Sequence, residues 1–564
     1  MHRLCNALIL CFILAACIQT QVAAAPECRG AVIVSYISFS NLTTLRSHLD
    51  YLKSLGVNAV FVDALCRGFV LYPGSSYLPK YPGYPAGWDP MAAIVQEAHA
   101  RGMEVYAWME YGFFAFYNNS GDVKDDPWVT DTALGYHQLT GAGNVFRAHP
   151  TWWSYDRSGN YPLYNPAGYY HFIYNPINPE VQDFFINLYA EICQRYDIDG
   201  LNLDRIRYAN SNYTYDSYTR QLYASEHNGI DPIDLATNDP TWLAWKKAEL
   251  NDFMRRLRER IHQVKPNMLV FANVTTSGDI DDKCQDYPTW SQRGYLDILA
   301  PMNYTTSASQ WNSEFQKEIA LAPQRFCFWE GLNCQAADSA SIGQMIDYGE
   351  SIGAGFDIWF SSTLAQHEPT LKSKWTTPVT VPHPPVVYLT YPRGKQILSG
   401  DVPICWNAWD KDADQLSIEV DASTNGGMTW SMLASNQLNT GSFIWHTKYT
   451  TPGVNYMIRV RASDERYVNG DESSGVNVLT NNLRSVSGAR AMPDGSIVGI
   501  QHAFVTAGAG DFNGRIYIES SDRTSGLAVI TDDSIARGSE VTVAGSLTTV
   551  NGERVLSNAV IVPE

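Results

Sequence analysis

Positive charge is scarce in this sequence. Its 564 residues include 40 lysines and arginines against 58 aspartates and glutamates, which gives a formal net charge of −18 at pH 7. Phosphate backbones and anionic membrane surfaces repel such a chain, and this argues against nucleic acid or a membrane surface as its main partner. The length predicts about two to four domains.

The motifs of several other chemistries are missing. The chain has no Gly-x-Ser-x-Gly, no phosphate-cradling glycine-rich loop and no His-Glu-x-x-His. Its cysteines include no Cys-x-x-Cys pair and its 12 histidines are scattered, so zinc is disfavoured. We expect neither a metal nor a cofactor. Cys327 and Cys334 could form a local disulfide in an exported protein.

Long apolar runs are confined to the N-terminus. Residues 8–18 are apolar but too few to span a bilayer comfortably, so residues 1–25 are predicted to be a signal peptide. Three alanines before Pro26 suit ordinary cleavage and secretion. The sequence Leu14-Ala15-Ala16-Cys17 resembles a bacterial lipobox, and we favour lipid anchoring through Cys17. Either reading predicts an exported protein.

Short apolar strands alternate with amphipathic helices over residues 28–375. This alternation predicts an α/β protein with a (β/α)8 TIM barrel, since parallel strands need crossover helices. The strand candidates are 31–36, 58–63, 103–108, 200–204, 268–273, 296–302, 325–329 and 355–360.

Two further domains are predicted to be all β. A proline-rich linker at 376–385 leads to short alternating strands over 386–482, which favour a β-sandwich of the immunoglobulin or fibronectin type. Residues 485–564 suit an OB-like barrel. That last segment has five arginines and nine acidic residues, a net charge of −4, so nucleic acid is disfavoured there too.

Two carboxylates fit a reaction at the barrel mouth. Asp204 ends the fourth strand candidate and Glu110 follows the third, where barrel enzymes place catalytic groups. Glycoside hydrolysis usually needs two carboxyl groups across the scissile bond, so this pair is the predicted catalytic site. Asp63 and Glu330, at two other strand ends, are further candidates for the catalytic carboxylates. The alternative for each is a carboxylate that caps a loop or pairs with arginine.

Other residues of the same loops are candidates for substrate binding. Tyr72 and Trp108 could stack on sugar rings or simply pack in the core. Asn303 and Tyr304 close the sixth strand and could hydrogen-bond sugar hydroxyls or loop backbone. By strand parity Arg207 points away from Asp204, and pairing with a helix is its alternative role. The full set of predicted substrate-binding residues is Asp63, Arg67, Tyr72, Trp108, Arg207, Asn303, Tyr304 and Glu330.

Local motifs across residues 28–372 closely resemble the glycosyl-hydrolase-like 10 family, the domain of unknown function 187. They are Leu71-Tyr72-Pro73, Asp89-Pro90, Trp108-Met-Glu110-Tyr-Gly112, Asn175-Pro176-x-x-Pro179-Glu180-Val181, Tyr196-Asp-x-Asp199-Gly200-Leu-x-Leu-Asp204, Asp239-Pro240-x-Trp242 and Ala300-Pro301-Met-Asn-Tyr304. The resemblance implies a glycosidase, and peptidoglycan glycan strands are one substrate that it suggests. Many members carry a second acid where this chain has Arg205, so a role for that acid is absent here.

The C-terminal segments also resemble known modules. Residues 423–430 and 456–462 look like a fibronectin-type accessory domain, and 513–519, 522–523 and 550–554 resemble OB-type modules of secreted bacterial enzymes, for which we expect cell-surface or glycan attachment. Asp410-x-Asp412-x-Asp414 could hold calcium. A solvated acidic turn is favoured, because the later glycine and glutamate of a calcium loop are missing.

The sequence thus predicts an exported glycoside hydrolase whose partner is a bacterial or environmental polysaccharide. The alternative is a non-catalytic, glycan-binding cell-surface protein on the same barrel, because fold does not settle function. A third reading makes the chain a scaffold whose β domains bind.

Overall fold

The computed structural model describes residues 27–33, 41–85, 87–131, 135–138, 140–141, 144–508, 511–512 and 514–564. The predicted signal peptide and the lipobox cysteine, Cys17, therefore lie outside the described residues. Within these ranges no helix combines the length and the apolar composition needed to cross a membrane.

Eight parallel strands close into a barrel, each paired with the next along the chain and the last paired with the first. This confirms the predicted TIM barrel. The strands are β1 (Arg29–Ile33), β2 (Ala59–Asp63), β3 (Glu104–Met109), β4 (Gly200–Leu203), β5 (Leu269–Val274), β6 (Ile298–Pro301), β7 (Cys327–Asn333) and β8 (Gly355–Trp359).

Helices cover the outside of the barrel. Several begin with an Asp-Pro or Asn-Pro pair, in which the acidic or amide side chain accepts a backbone N–H of the first turn and proline occupies the first helical position. The α-helices of this region are Leu42–Ser54, Pro90–His99, Asn144–Ala148, Pro179–Arg195, Ser217–Glu226, Pro240–Val264, Ile280–Lys283, Tyr287–Gln292, Ala308–Leu321, Ser339–Ile352 and Glu368–Lys374. Short 3-10 turns are Pro150–Trp152, Pro232–Asp234, Ser277–Asp279 and Ser361–His367.

Aromatic rings fill the barrel interior. Phe61 and Phe271 lie 5.3 Å apart between ring centroids, and Tyr106 and Trp329 lie 5.0 Å apart, all fully buried. Gly200 makes room for this layer, because a Cβ there would lie 2.5 Å from the ring of Tyr106. The barrel is a packed core, so any ligand site must lie at its mouth.

Small antiparallel sheets interrupt the connections that follow β2 and β3. After β2 they are the strands Leu65–Cys66 and Phe69–Val70. After β3 they are Phe114–Asn118, Pro162–Asn165 and Tyr169–Ile173 in one sheet, and Trp128–Asp131 with Gly135–Gln138 in another. These long βα segments stand on the side of the barrel where the strands end.

The remainder of the chain is mostly β. Two sheets share one apolar core over residues 386–479, and a six-stranded sheet with its own core follows, joined by the helix Val486–Arg490. The assignment of these parts to immunoglobulin or fibronectin and OB types stays a prediction. Their strands are Val386–Tyr391, Ile397–Leu398, Asp401–Trp409, Ser417–Ser423, Ser431–Leu438, Ser442–His446, Gly453–Ser463, Val468–Glu472, Asn477–Leu479, Leu483–Arg484, Ile497–Ala507, Arg515–Glu519, Gly526–Ile530, Glu540–Val550 and Glu553–Pro563.

The suggested disulfide does not form. Cys327 and Cys334 are both free thiols. Cys327 begins β7 and faces the barrel interior, whereas Cys334 follows the end of that strand and packs in the layer between strands and helices. Seven steps of extended chain separate them by roughly 23 Å, far beyond the reach of an S–S bond.

Candidate active site

Asp204 stands at the end of β4 with both carboxylate oxygens bonded. The indole Nε1–H of Trp108 donates to Oδ2 across 3.2 Å, and the backbone N–H of Arg205 donates to Oδ1 across 2.6 Å. The residue is only 6% exposed. Two N–H donors thus hold a nearly buried carboxylate in place, as a group that acts as an anion requires.

Glu110 follows the neighbouring strand β3 and reaches the same arginine. A guanidinium N–H of Arg205 donates to Oε1 of Glu110 across 3.2 Å, and the thiol of Cys66 donates to Oε2 at 3.6 Å. Arg205 therefore bonds to Asp204 through its backbone and to Glu110 through its side chain. The predicted pair is brought together around one residue.

The backbone of Arg205 is left-handed, with φ of 52°. A left-handed residue ends the alternation of a strand, so the parity argument for Arg207 was wrong. Arg207 turns back and lines the same cavity as Asp204. Gly112 is required beside this turn, because a Cβ there would lie 2.3 Å from the carbonyl oxygen of Asp204.

A cavity of about 180 Å³ opens above these groups. The carboxyls of Asp204 and Glu110 line it together with the guanidiniums of Arg205 and Arg207. Three rings complete its wall, namely Trp108, Tyr304 and Trp359, with centroids 5.9 Å apart for the two tryptophans and 6.1 Å for Tyr304 and Trp359. Flat apolar faces beside charged hydrogen-bonding groups suit a sugar ring.

Burial dominates the protonation of both carboxyl groups. It raises the pKa of Asp204, against the opposing charges of Arg205 and Arg207 and the two hydrogen bonds. It also raises the pKa of Glu110, against the charges of Arg205 and Arg67. Desolvation disfavours the charged form of a carboxyl, so both groups take up protons more readily than exposed ones.

Asp63 and Arg67 lie behind Glu110 rather than in the cavity wall. Oxygen atoms of Asp63 and Glu110 and the sulfur of Cys66 all lie within 4.8 Å of one another. Arg67 donates to the hydroxyl of Tyr111 at 3.2 Å. Asp63, Cys66 and Glu110 carry groups that can bind a metal. The positive charges of Arg205 and Arg67 act on Glu110, however, and oppose a cation there.

Besides Asp63 and Arg67, three further predicted binding residues do not reach the cavity. Tyr72 is buried and its hydroxyl donates to Glu191 of an outer helix at 3.1 Å. The amide of Asn303 donates to the backbone oxygen of Trp311 at 2.9 Å. Glu330 falls in the middle of β7, because that strand runs to Asn333, and its side chain is fully buried on the side away from the interior.

Asn273 and Asp357 belong to the site and were missed. Asn273 lines the cavity, and its amide donates to the carboxyl of Asp357 on β8, which is 1% exposed. Burial raises the pKa of Asp357 to about 7, and the charge of Asp204 adds to the rise. The sequence does contain a sign of this site, because Asp357 is an acidic residue inside the otherwise apolar strand Gly355–Trp359.

A much larger cleft, of about 1230 Å³, lies between the barrel and the two sheets of residues 386–479, which we call the first β part. Four of its five arginines pair with acidic side chains, as Arg293 does with Glu472 at 2.8 Å and Arg459 with Asp421 at 2.9 Å, and the fifth, Arg325, donates to backbone oxygens. Volume alone does not make a site, and the carboxyl pair lies in the smaller cavity.

The barrel region of the chain is similar to known proteins. The family profile described as "Glycosyl hydrolase-like 10" matches residues 29–326. "Glycosyl hydrolase DigH" of Escherichia coli (strain K12) is 24% identical over 307 residues, which are 48% of this chain and 62% of that protein. "Glycosyl hydrolase YngK" of Bacillus subtilis (strain 168) is 24% identical over 283 residues, 45% of this chain and 48% of that protein. Less than two thirds of either relative is therefore spanned.

Among solved structures, the chain is similar to the PgaB (BpsB) glycoside hydrolase domain from Bordetella bronchiseptica. The identity is 16% and the TM-score 0.44, over 62% of this chain and 98% of that domain.

Proposed function

The chain belongs to the glycosyl hydrolase-like 10 family, as its motifs predict, and from this membership we propose that it is an exported glycoside hydrolase. The family and the relatives named as glycosyl hydrolases support a glycan-acting, hydrolase-like protein. The proposal adds a catalytic pair, Asp204 and Glu110. The observation that carries it is that both carboxyl groups line one cavity and that Arg205 bonds to both.

Asp204 acts in its ionised form in this mechanism. It is the nucleophile, or the base that takes a proton from the attacking water, and in either role its negative charge stabilises positive charge on the sugar ring. The indole N–H of Trp108 and the backbone N–H of Arg205 stabilise the anion. The guanidiniums of Arg205 and Arg207 counter the effect of burial on its pKa.

Glu110 is the proposed acid and base. It gives a proton to the leaving glycosidic oxygen, and where Asp204 is the nucleophile it then takes one from the attacking water. Its raised pKa favours the protonated form that the first step needs. The hydrogen bond from Arg205 to Oε1 and the thiol contact to Oε2 hold the carboxyl in one orientation.

The proposed substrate is a bacterial or environmental polysaccharide. The rings of Trp108, Tyr304 and Trp359 offer faces for a sugar, and Arg207 offers hydrogen-bond donors for its hydroxyls. Peptidoglycan glycan strands stripped of peptides are the first substrate to assay.

A second candidate function is glycan binding without cleavage. Two observations favour it: Glu110 is engaged by Arg205, and the cavity of about 180 Å³ is smaller than the roughly 300–1,000 Å³ usual for ligand pockets. Both features suit a site that holds one sugar unit and leaves its bonds intact.

Separate substitutions distinguish the two functions. Asp204→Asn and Glu110→Gln keep size and remove the charge, and each is assayed with the wild type on a panel of glycans. Loss of cleavage in both variants with retained binding supports the proposed pair. Unchanged cleavage in both would refute the pair. A wild type that binds glycans and cleaves none would establish the binding function.

Anchoring through Cys17 is proposed from the lipobox-like sequence alone. Cys17→Ser should release the protein from the membrane fraction of a bacterial host and abolish incorporation of labelled fatty acid. Secretion of the wild type without label would instead support ordinary cleavage after Ala25.

A further inference from the structure

Three carboxyl groups converge far from the cavity, in the first β part of the chain. Asp410 and Asp414 lie in the turn after the strand Asp401–Trp409, and Asp464 lies in the turn after the strand Gly453–Ser463. One oxygen of each lies within 4.8 Å of the others. The cluster therefore joins two turns that are separate in the sequence.

The turn is exposed from Asp412 to Gln415, as the sequence suggested, but its first acid, Asp410, is buried. Only 6% of the residue is exposed. Its Oδ1 accepts the backbone N–H groups of Asp412 and Asp414, at 2.8 and 3.4 Å. Its Oδ2 is buried and has no hydrogen-bond partner among the described residues. Burying a carboxylate oxygen without a partner raises the free energy of the folded state, and a bound ligand would remove this penalty.

Cationic side chains do not supply that ligand. In the part of the chain that the structure describes, no lysine, arginine or histidine forms an ion pair with the three carboxyl groups. Lys411, between two of the acids in sequence, turns away and pairs with Glu104 and Asp199 of the barrel. Among the described residues the three carboxyl groups therefore face one another without an ion pair, and only the charge of Arg325 acts on one of them, Asp464.

We propose that this cluster binds a calcium ion. Calcium takes six to eight oxygen ligands at roughly 2.3–2.6 Å, so two oxygens on one ion lie at most about 5.2 Å apart, and the spacing here satisfies that limit. Asp410 Oδ2, Asp464 and the exposed Asp414 supply carboxylate ligands, and backbone carbonyls and water complete the shell. Zinc is disfavoured because the group holds no cysteine or histidine.

The calcium turn also carries the attachment to the barrel. The ammonium of Lys411 donates to Glu104 at 2.6 Å and to Asp199 at 2.7 Å, and both acids lie where barrel strands begin. Asp412 accepts the backbone N–H of His383 at 2.8 Å. Ordering of this turn by an ion therefore orders the barrel contacts made by its neighbours.

The second turn is attached in the same way. Arg325, two residues before β7, donates to the backbone oxygen of Asp464 at 2.6 Å. Calcium would bridge the two attached turns and hold the first β part against the end of the barrel opposite the cavity. The role is structural and is independent of the proposed hydrolase activity.

Metal binding is tested on the full chain after treatment with EDTA. Terbium luminescence, sensitised by the neighbouring Trp409 and Tyr467, reports binding, and titration with calcium displaces the terbium. We expect saturable binding of one ion and a melting temperature that rises with calcium and falls again with EDTA. Magnesium should displace terbium at least tenfold less effectively.

Substitutions assign the ion to the cluster. Asp410→Asn and Asp464→Asn should each weaken calcium binding at least tenfold. The exposed Asp414→Asn should do the same without risk to folding. Glu465→Gln, an exposed neighbour that loses the same charge, is the control and should leave the affinity unchanged. Absence of binding at millimolar calcium would overturn the proposal, as would equal affinity for magnesium or binding unaffected by Asp414→Asn and Asp464→Asn.

Discussion

Trp108 donates its indole N–H to the carboxylate of Asp204 across 3.2 Å, from one barrel strand to the group that ends the next. The two residues lie in a buried wall, where a hydrogen bond to an anion is worth about 1.5–3 kcal/mol. Trp108 thus has two functions in the proposed site, as a face for a sugar and as a donor to the carboxylate.

Trp108→Phe tests the second function. Phenylalanine keeps an aromatic face and removes the donor, so the pKa of Asp204 should rise further above its ordinary value. We expect kcat/KM to fall about tenfold and the acidic limb of its pH profile to move to higher pH. The measurement is kcat/KM against pH for both proteins. A profile that keeps its acidic limb would show that this hydrogen bond does not tune Asp204.

Arg205→Met tests the bridge between the carboxyl groups. Loss of the guanidinium removes one of the two that act on the nearly buried Glu110. Breaking a buried ion pair typically destabilises a protein by about 3–5 kcal/mol, and the remaining charge of Arg67 should keep the loss near the lower figure. The deficit should shrink as the pH falls, because a protonated Glu110 needs no cation. Urea unfolding at two pH values measures it. Arg46→Met is the control and should cost no more than about 1 kcal/mol, because the guanidinium of Arg46 is half exposed and Glu97 keeps its second pair with Arg101.

Gly112→Ala tests the close approach of the β3 segment to Asp204. The added Cβ would lie 2.3 Å from a backbone oxygen, and backbone cannot yield as a flexible side chain can. We expect a loss of about 2 kcal/mol or more in the free energy of unfolding and loss of glycan cleavage. Gly278→Ala is the matched control, because nothing lies within 4 Å of its added Cβ. Equal stability of the two variants would contradict the geometry.

Glu330→Gln tests a buried acid pair outside the cavity. Glu330 and Glu318 are both fully buried, and burial raises the pKa of Glu318 to about 8 and that of Glu330 well above its ordinary value. The folded state then holds protons that the unfolded state releases. Stability should therefore fall as the pH rises from about 4.5, the ordinary value, to about 8.

The amide of Glu330→Gln does not titrate and can donate to Glu318. The variant should lose less stability than the wild type between pH 5 and pH 8, measured by urea unfolding. Glu368→Gln, on an exposed pair with Lys372, is the control and should follow the wild type. Parallel curves for the wild type and Glu330→Gln would rule out a shared proton at this pair.

Strand pattern was enough to predict the barrel and the position of Asp204 and Glu110. Both follow directly from where β4 and β3 end, and the alternation of Trp108 and Glu110 holds in the structure. A residue at a strand end is placed by the backbone alone, so its direction can be read from parity.

Parity failed where the backbone changed conformation or where the strand end was misplaced. The left-handed backbone of Arg205 reversed the side to which the Arg207 side chain points. That conformation cannot be predicted from the presence of an arginine. The seventh strand runs to Asn333, beyond its predicted end at 329, so Glu330 lies against an outer helix and not at the mouth. Asp357 lies inside β8, so a search of strand ends does not find it.

The aromatic layer of Phe61, Tyr106, Phe271 and Trp329 has a consequence for how this chain can change. It separates the cavity from the opposite end of the barrel, where Lys411 and Arg325 attach the first β part. Its rings are fully buried and packed against one another, so no cavity of the described residues connects the two ends through this layer. The C-terminal β parts can therefore be replaced or altered without changing the cavity. Substitutions in the barrel mouth and in the β parts can accumulate independently during evolution.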